Sequence, residues 1–476
     1  MILPTLPESA TLLAALGDGL PLRVRGRVSA VSGGNIEIEG MTAPVGAVCR
    51  IHLADGSHCD ARLIGFQGVR PILAPLAFPE GVAAGDEVEL VANKACVAVG
   101  PELRGRVINA LGEPIDGQPL PAGLLPAELE RPCPESLQRP SINEPLETGV
   151  RAIDAFLSCG RGQRLGIFAG SGVGKSTLLS MLVQGTAADT IVVGMVGERG
   201  REVREFIEHT LGEAGLERTV IVTATSDQPA ALRVQAAWTA TAVAESLRDA
   251  GQNVLLLIDS VTRFALAQRE IGLAAGEPPT TRGYPPSVFA MLPRLVERAG
   301  NTEQGSITAF YSVLVEGDDT NEPVADTLRG LLDGHIVLSR QLASESHWPA
   351  IDILSSLSRL QSRIVDPAVQ QAAEILRQCM AEYRRNADLI AIGAYKAGTN
   401  PQLDRAIAIR GPLQELLCQR TDDRWSIEQT HQELLRLATA LTTAAQQAGA
   451  QQAGAQQAGA QQQAGAQQAA AQQQAG

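Results

Sequence analysis

From residue 22 to about residue 92, apolar and polar positions alternate with period two. Val24, Gly26 and Val28 interleave with Arg23, Arg25 and Arg27, and Ile36 and Ile38 interleave with Asn35, Glu37 and Glu39. Gly33-Gly34, Asp55-Gly56 and Gly85-Asp86 punctuate the runs. Short half-buried strands separated by turn signals predict a small N-terminal β-barrel over residues 22–92.

Between 93 and 362 the pattern changes. Leu165–Ala169, Ile191–Val196, Val220–Ala224, Val254–Ile258 and Ile307–Leu314 are almost uniformly apolar, with helical stretches such as Leu232–Asp249 between them. Strands that are apolar on both faces suit a parallel sheet covered by helices on each side. The expected central domain is therefore α/β.

From 363 to 440 the period is helical. Asp366 followed by Pro367 reads as an N-cap with Pro at the first helical position, and Val369, Ala372, Ala373, Leu376 and Met380 mark one face. Further helices are expected near 401–419 and 426–440, giving a C-terminal α-helical domain. Two terminal segments stand apart. In the arm 1–21, Ser9 could cap a short amphipathic helix carrying Leu12, Leu13 and Leu16. The tail 441–476, built from Gln446 onward of Gln, Ala and Gly without charge or large apolar residues, is expected to be disordered.

Composition narrows the function. The formal net charge of -13 argues against a general nucleic-acid binder, which needs clustered Lys and Arg. Seven scattered cysteines form no CxxC pair and read as reduced thiols in a cytoplasmic protein. His52, His58 and Cys59 lack a zinc spacing. Met1–Leu20 has no basic residue ahead of its apolar part, unlike a signal peptide, and Val254–Ile258 is too short to span a bilayer. Membrane association is expected to be peripheral, through partners.

The strongest chemical signal is Ala169-Gly170-Ser171-Gly172-Val173-Gly174-Lys175-Ser176, between a predicted strand and a helix over Thr177–Val183. This is the strand–loop–helix setting of a P-loop. The glycines let backbone N–H groups approach phosphate oxygens, and the helix N-terminus adds positive potential. Lys175 would reach the β- and γ-phosphates of ATP, and the Ser176 hydroxyl would coordinate Mg²⁺. Ala169 stands where the strict consensus has its first Gly, and Thr177 completes the phosphate-binding segment.

Asp259 ends the apolar strand 254–258, the place for an Mg²⁺-associated carboxylate, here acting through water. Glu198 follows the strand 191–196 and could orient the attacking water. From spacing alone it could equally be a loop carboxylate paired with Arg199 or Arg201.

Taken together, these blocks resemble the flagellar and type III protein-export ATPases, relatives of the catalytic β subunit of rotary ATP synthases. The likeness spans roughly residues 20–440. It rests on Gly105-Arg106-Val107, Thr148 to Asp154, the P-loop, Gly197 to Phe206, Asp259 to Arg263, Ala267 to Pro279, Val315 to Asp319 and Leu332 to Arg340. It implies a barrel, a RecA-like P-loop ATPase domain and a helical C-terminus, assembled as a homohexamer with ATP between subunits. It makes Glu198 the catalytic carboxylate and Arg199 a second contact near the γ-phosphate. It makes Arg359 an arginine finger donated to the neighbouring subunit, although alone it would read as a surface ion-pair residue. Trp348 stands where relatives place Tyr against adenine; otherwise it would read as a packing aromatic. The tail and the Gly-less segment Ala343 to Ser346 depart from the family pattern.

The resemblance implies energising protein export, with protein substrates, export chaperones, a stator-like regulator and a membrane export gate as partners. Thr225 to Ala230 and Ile392 to Tyr395 look more like the flagellar branch than the virulence-injectisome branch. Two other functions fit the core. A rotary ATP synthase catalytic subunit should carry an acidic run in 385–425, which is missing. An RNA-translocating hexameric helicase should carry stacking aromatics in its barrel, where 22–92 offers only Phe66 beside Phe78.

Overall fold

The computed structural model describes residues 23–315 and 322–442. The Ser9-capped helix, residues 316–319 of the Val315–Asp319 block and all but two residues of the tail lie outside the described residues. Six strands close the N-terminal barrel: β1 (Arg25–Ser32), β2 (Asn35–Glu39), β3 (Val48–His52), β4 (His58–Gln67), β5 (Arg70–Pro75) and β6 (Glu87–Ala92), in the order β1-β2-β5-β4-β3-β6. Val28, Ile36 and Ile38 point inward, and Arg25 and Arg27 point out, as the alternation requires. Gly26 has its own reason: a Cβ there would lie 2.6 Å from the Glu39 carbonyl. Asn35 departs from the alternation. It is buried, and its Nδ2 donates to the Ile271 carbonyl at 3.3 Å, because this edge of the barrel packs on the central domain.

The central sheet has eight strands on its main path: β7 (Val107–Asn109), β8 (Arg164–Ala169), β9 (Thr190–Glu198), β10 (Thr219–Thr225), β11 (Asn253–Asp259), β12 (Ser306–Leu314), β13 (Gly334–Val337) and β14 (Leu357–Ser358). Their order is β14-β13-β8-β12-β11-β9-β10-β7, parallel except for β13 with β14. The five expected apolar strands are β8 to β12. They are apolar throughout because each face has its own core. Val192, Val196, Leu256 and Ile258 pack with Trp238 of the long helix Ala230–Asp249 and with Phe264. Ile191, Val193, Leu255 and Leu257 pack with Leu178, Leu179 and Leu182 of the helix Lys175–Gly185. Each such side chain contributes roughly 1.5–3 kcal/mol when fully buried.

Five helices position or border the site: α1 (Arg151–Phe156), α2 (Lys175–Gly185), α3 (Val261–Ala274), α4 (Pro367–Arg385) and α5 (Pro401–Leu417). A last helix covers 427–442. Asp366 caps α4 through the Ala368 N–H at 2.8 Å. Leu376 of α4, Leu413 and Leu416 of α5, and Leu434 and Leu437 belong to the same apolar cluster as the α2 face of the sheet. The C-terminal helices therefore share a core with the nucleotide domain.

Candidate active site

Three strand ends build the site. β8 stops at Ala169 and runs into the Gly-rich loop, in which Gly172 (φ 78°) and Gly174 (φ 89°) take left-handed backbone conformations that a β-carbon disfavours. Nothing stands within 4 Å of a Cβ built at Gly172, so that side of the loop is open. Val173 is buried and pins the loop to the core, while Ser171, Ser176 and Thr177 are exposed. α2 begins at Lys175 with no side-chain cap, leaving first-turn N–H groups for a ligand.

β11 delivers Asp259 and β9 delivers Glu198. Both are buried, and Lys175 reaches between them. Its ammonium hydrogen-bonds Asp259 Oδ1 and lies 3.7 Å from Glu198 Oε1. Ser312 Oγ donates to Asp259 Oδ1 at 2.6 Å. A register shift on β9 at Gly197 (φ 69°) turns Glu198 toward this cluster. Arg263, in the first turn of α3, closes it. Its Nη2 donates to Glu198 Oε2 at 3.2 Å and its Nε lies 3.0 Å from Oε1. That second approach is an ion pair, so Oε1 lies between the Arg263 guanidinium and the Lys175 ammonium.

Burial first, and then the neighbouring Asp259 carboxylate, push the Glu198 carboxyl up to about 7; Lys175 and Arg263 pull the other way. The residues fit a magnesium triphosphate: an uncapped helix end beside open glycines, one ammonium, an exposed hydroxyl at Ser176 and two buried carboxylates beside the ammonium.

Other expected site residues are distributed differently. The Trp348 indole lies against the loop, since a Cβ at Gly174 would meet its Cζ3 at 2.6 Å. Arg199 does not join the cluster: it is exposed and paired with Glu202 at 3.3 Å. Arg359 is exposed just beyond β14, donating to the Arg329 carbonyl at 3.3 Å. Arg263 and Ser312 escaped the sequence reading. Arg263 lay in the Asp259–Arg263 block, but only the helix start at Val261 and the bend at Gly197 bring it to Glu198. The signal for Ser312 was one of three hydroxyls, with Thr308 and Tyr311, inside an otherwise apolar stretch 307–314.

A parallel sheet that gathers a Gly-rich loop, its lysine and two carboxylates at the ends of β8, β9 and β11 defines a P-loop nucleotide-binding protein. Residues 149–358 match the nucleotide-binding domain of the ATP synthase alpha/beta family, and residues 365–436 match the C-terminal domain of the type III secretion ATPase EscN. The flagellum-specific ATP synthase of Bacillus subtilis (strain 168) is 52% identical over 407 residues, covering 85% of this chain and 93% of the relative. The type 3 secretion system ATPase of Xanthomonas euvesicatoria is 46% identical over 434 residues, covering 91% and 97%. The assembled ATPase EscN of enteropathogenic E. coli superposes with a TM-score of 0.83 at 43% identity, over 87% of this chain and 100% of that one. EscN in complex with its central stalk EscO gives 0.80 at 42% identity, with the same coverage. The chain belongs to the family of flagellar and type III secretion ATPases.

Proposed function

We propose that the protein hydrolyses Mg-ATP to energise flagellar type III protein export, with each site completed by a neighbouring subunit of a homohexamer. The observation that carries the ATPase reading is Glu198: a buried carboxylate at the end of β9, 3.7 Å from the P-loop lysine and held by Arg263. The assembled EscN structure supports the ring, and its complex with EscO supports a central-stalk or stator-like regulator. The flagellar branch is favoured over the injectisome branch by 52% against 46% identity. Export chaperones, protein substrates and a membrane export gate follow from that branch. Among the described residues no helix is long and apolar enough to cross a membrane. A cytoplasmic enzyme held peripherally at the gate fits that observation.

In this mechanism the loop 169–176 and the start of α2, including Thr177, hold the triphosphate through backbone N–H groups. Lys175 neutralises phosphate charge. Ser176, with Asp259 through water, would hold magnesium, which when bound supplies further positive charge at the phosphates. Glu198 accepts the proton of the attacking water, and Arg263 keeps its carboxylate aimed. Trp348 offers a face to the base. Arg359, exposed just beyond β14, acts in this reading as a finger for a neighbour's site, a role its exposure is compatible with. Arg199 could reach a γ-phosphate only by leaving Glu202.

The test is ATPase activity per subunit against protein concentration. Sites shared between subunits require specific activity to rise with concentration as rings form. A flat, fully active profile at the lowest concentrations would exclude shared sites. For the branch, a Lys175→Ala allele in the host should stop secretion of flagellar rod and hook proteins; normal flagellar secretion would rule the assignment out.

The raised Glu198 carboxyl also sets a pH dependence. A carboxyl raised from 4.5 to about 7 keeps its proton in the folded enzyme until the pH passes about 7. The base is therefore competent only on the alkaline side. kcat/KM, which reports the free enzyme, should fall below about pH 7 and lose about tenfold per pH unit further down. That limb should vanish from whatever residual rate Glu198→Gln retains. A kcat/KM flat from pH 5.5 to 8 would contradict it.

A further inference from the structure

α5 ends at Leu417, and the turn that follows carries a buried amide that neither the phosphate chemistry nor the sheet requires. Gln419 is only 5% exposed. Its Nε2 donates to the Gly149 carbonyl at 2.8 Å and to the Asp423 carbonyl at 2.7 Å, and its Oε1 accepts from the Arg151 N–H at 2.9 Å. Both side-chain donors are thus used, and the acceptor is engaged. Its backbone N–H donates to the Trp348 carbonyl at 2.8 Å.

These bonds reach both ends of the phosphate-binding unit. At the front, Trp348 lies on Gly174, immediately before Lys175. At the back, Gly149 (φ 73°) presses on Gly185, the last residue of α2: a Cβ at Gly149 would lie 2.5 Å from the Gly185 Cα. The turn itself is held firmly. Arg151 pairs with Asp423 at 3.1 Å, donates to the Cys418 carbonyl and stacks over Trp425 at 4.6 Å. Cys418 Sγ lies 3.3 Å from Nδ1 of His347, the residue before Trp348. The amide type matters, since a carboxylate at 419 would face two carbonyl oxygens without a proton to offer.

We propose that Gln419 is a positioning residue for the nucleotide base, holding Trp348 over the P-loop from the C-terminal helices. This rests on the reading of Trp348 as the base platform. A residue acting through Trp348 should affect base-dependent binding and leave the phosphate chemistry alone.

The experiment is a double-mutant cycle on the full chain with Gln419→Ala and Trp348→Ala. Steady-state kinetics would be run with ATP and with ribose 5-triphosphate, which lacks the base. Gln419→Ala should raise KM for ATP about tenfold, as expected for the loss of a buried hydrogen-bond network, with kcat within about twofold and KM for ribose 5-triphosphate unchanged. Adding it to Trp348→Ala should change KM for ATP by less than about twofold, because coupled residues are not additive. Multiplying effects, or a lowered kcat at constant KM, would reduce Gln419 to a structural residue and overturn the proposal. If Trp348→Ala raises KM while Gln419→Ala does not, the positioning role alone falls. If Trp348→Ala leaves KM for ATP unchanged, the platform reading falls and takes this proposal with it. Gln419→Glu, which keeps the acceptor for Arg151, should raise KM in the same direction and serves if the alanine variant does not fold.

Discussion

Replacing Glu198 by Gln lowers kcat for Mg-ATP hydrolysis by about 10²–10⁴-fold, the usual contribution of a positioned general base, while ATP affinity stays within about threefold. The substitution keeps the volume, and a Gln oxygen can still accept from Arg263, but the amide cannot take a proton from water. Binding is spared because the groups that grip phosphate are Lys175 and the loop amides. A stopped hydrolysis assay paired with equilibrium binding of a labelled, non-hydrolysable ATP analogue separates the two. Turnover within tenfold of the parent enzyme would move the base to another residue. Loss of turnover and binding together would show that Glu198 acts by shaping the cluster.

Arg359→Ala should cost about 10³–10⁵-fold in kcat, the range for arginine fingers that meet transition-state charge. Nothing about its own protomer explains such an effect: the guanidinium is exposed, and its hydrogen bond goes to the Arg329 carbonyl. The defect should therefore be repairable in trans. Mixing Arg359→Ala protomers, whose sites are complete but lack a finger, with Glu198→Gln protomers, whose sites are dead but whose fingers are intact, should restore part of the activity. Two inactive preparations that stay inactive in stable mixed rings would show that Arg359 serves no neighbouring site.

Most of the phosphate machinery was legible from local sequence because its geometry is local. A loop of glycines between a strand and a helix carries its own conformation, and Lys175 follows from its position in that loop. Asp259 was readable for a related reason, since the end of an apolar parallel strand is a place as well as a pattern. The C-terminal helices were legible as helices from Asp366, Pro367 and the apolar stripe of α4, but not as partners in the nucleotide domain's core. Amphipathic periodicity reports that a face is buried and not what it is buried against. Arg263 depends on the shift at Gly197 and on where α3 starts, neither of which leaves a periodic trace. Arg199 shows the converse. The family resemblance implied a contact near the γ-phosphate, yet a residue that starts a helix just after a strand end points away, and Glu202 lies three positions along to pair with it. Gln419 was hidden in the same way, because the expected helix to 419 ends at Leu417 and releases the amide into the turn.

The most direct measurement is equilibrium binding of Mg-ATP to the intact protein and to its Lys175→Ala variant at matched concentration. The ammonium between Asp259 and Glu198 offsets two buried carboxylates, so its loss leaves the crevice repelling a triphosphate. Affinity should fall by about 100-fold or more, equivalent to about 2.7 kcal/mol of charge-assisted contact. Equal affinity in the two proteins would mean that this loop does not hold the nucleotide.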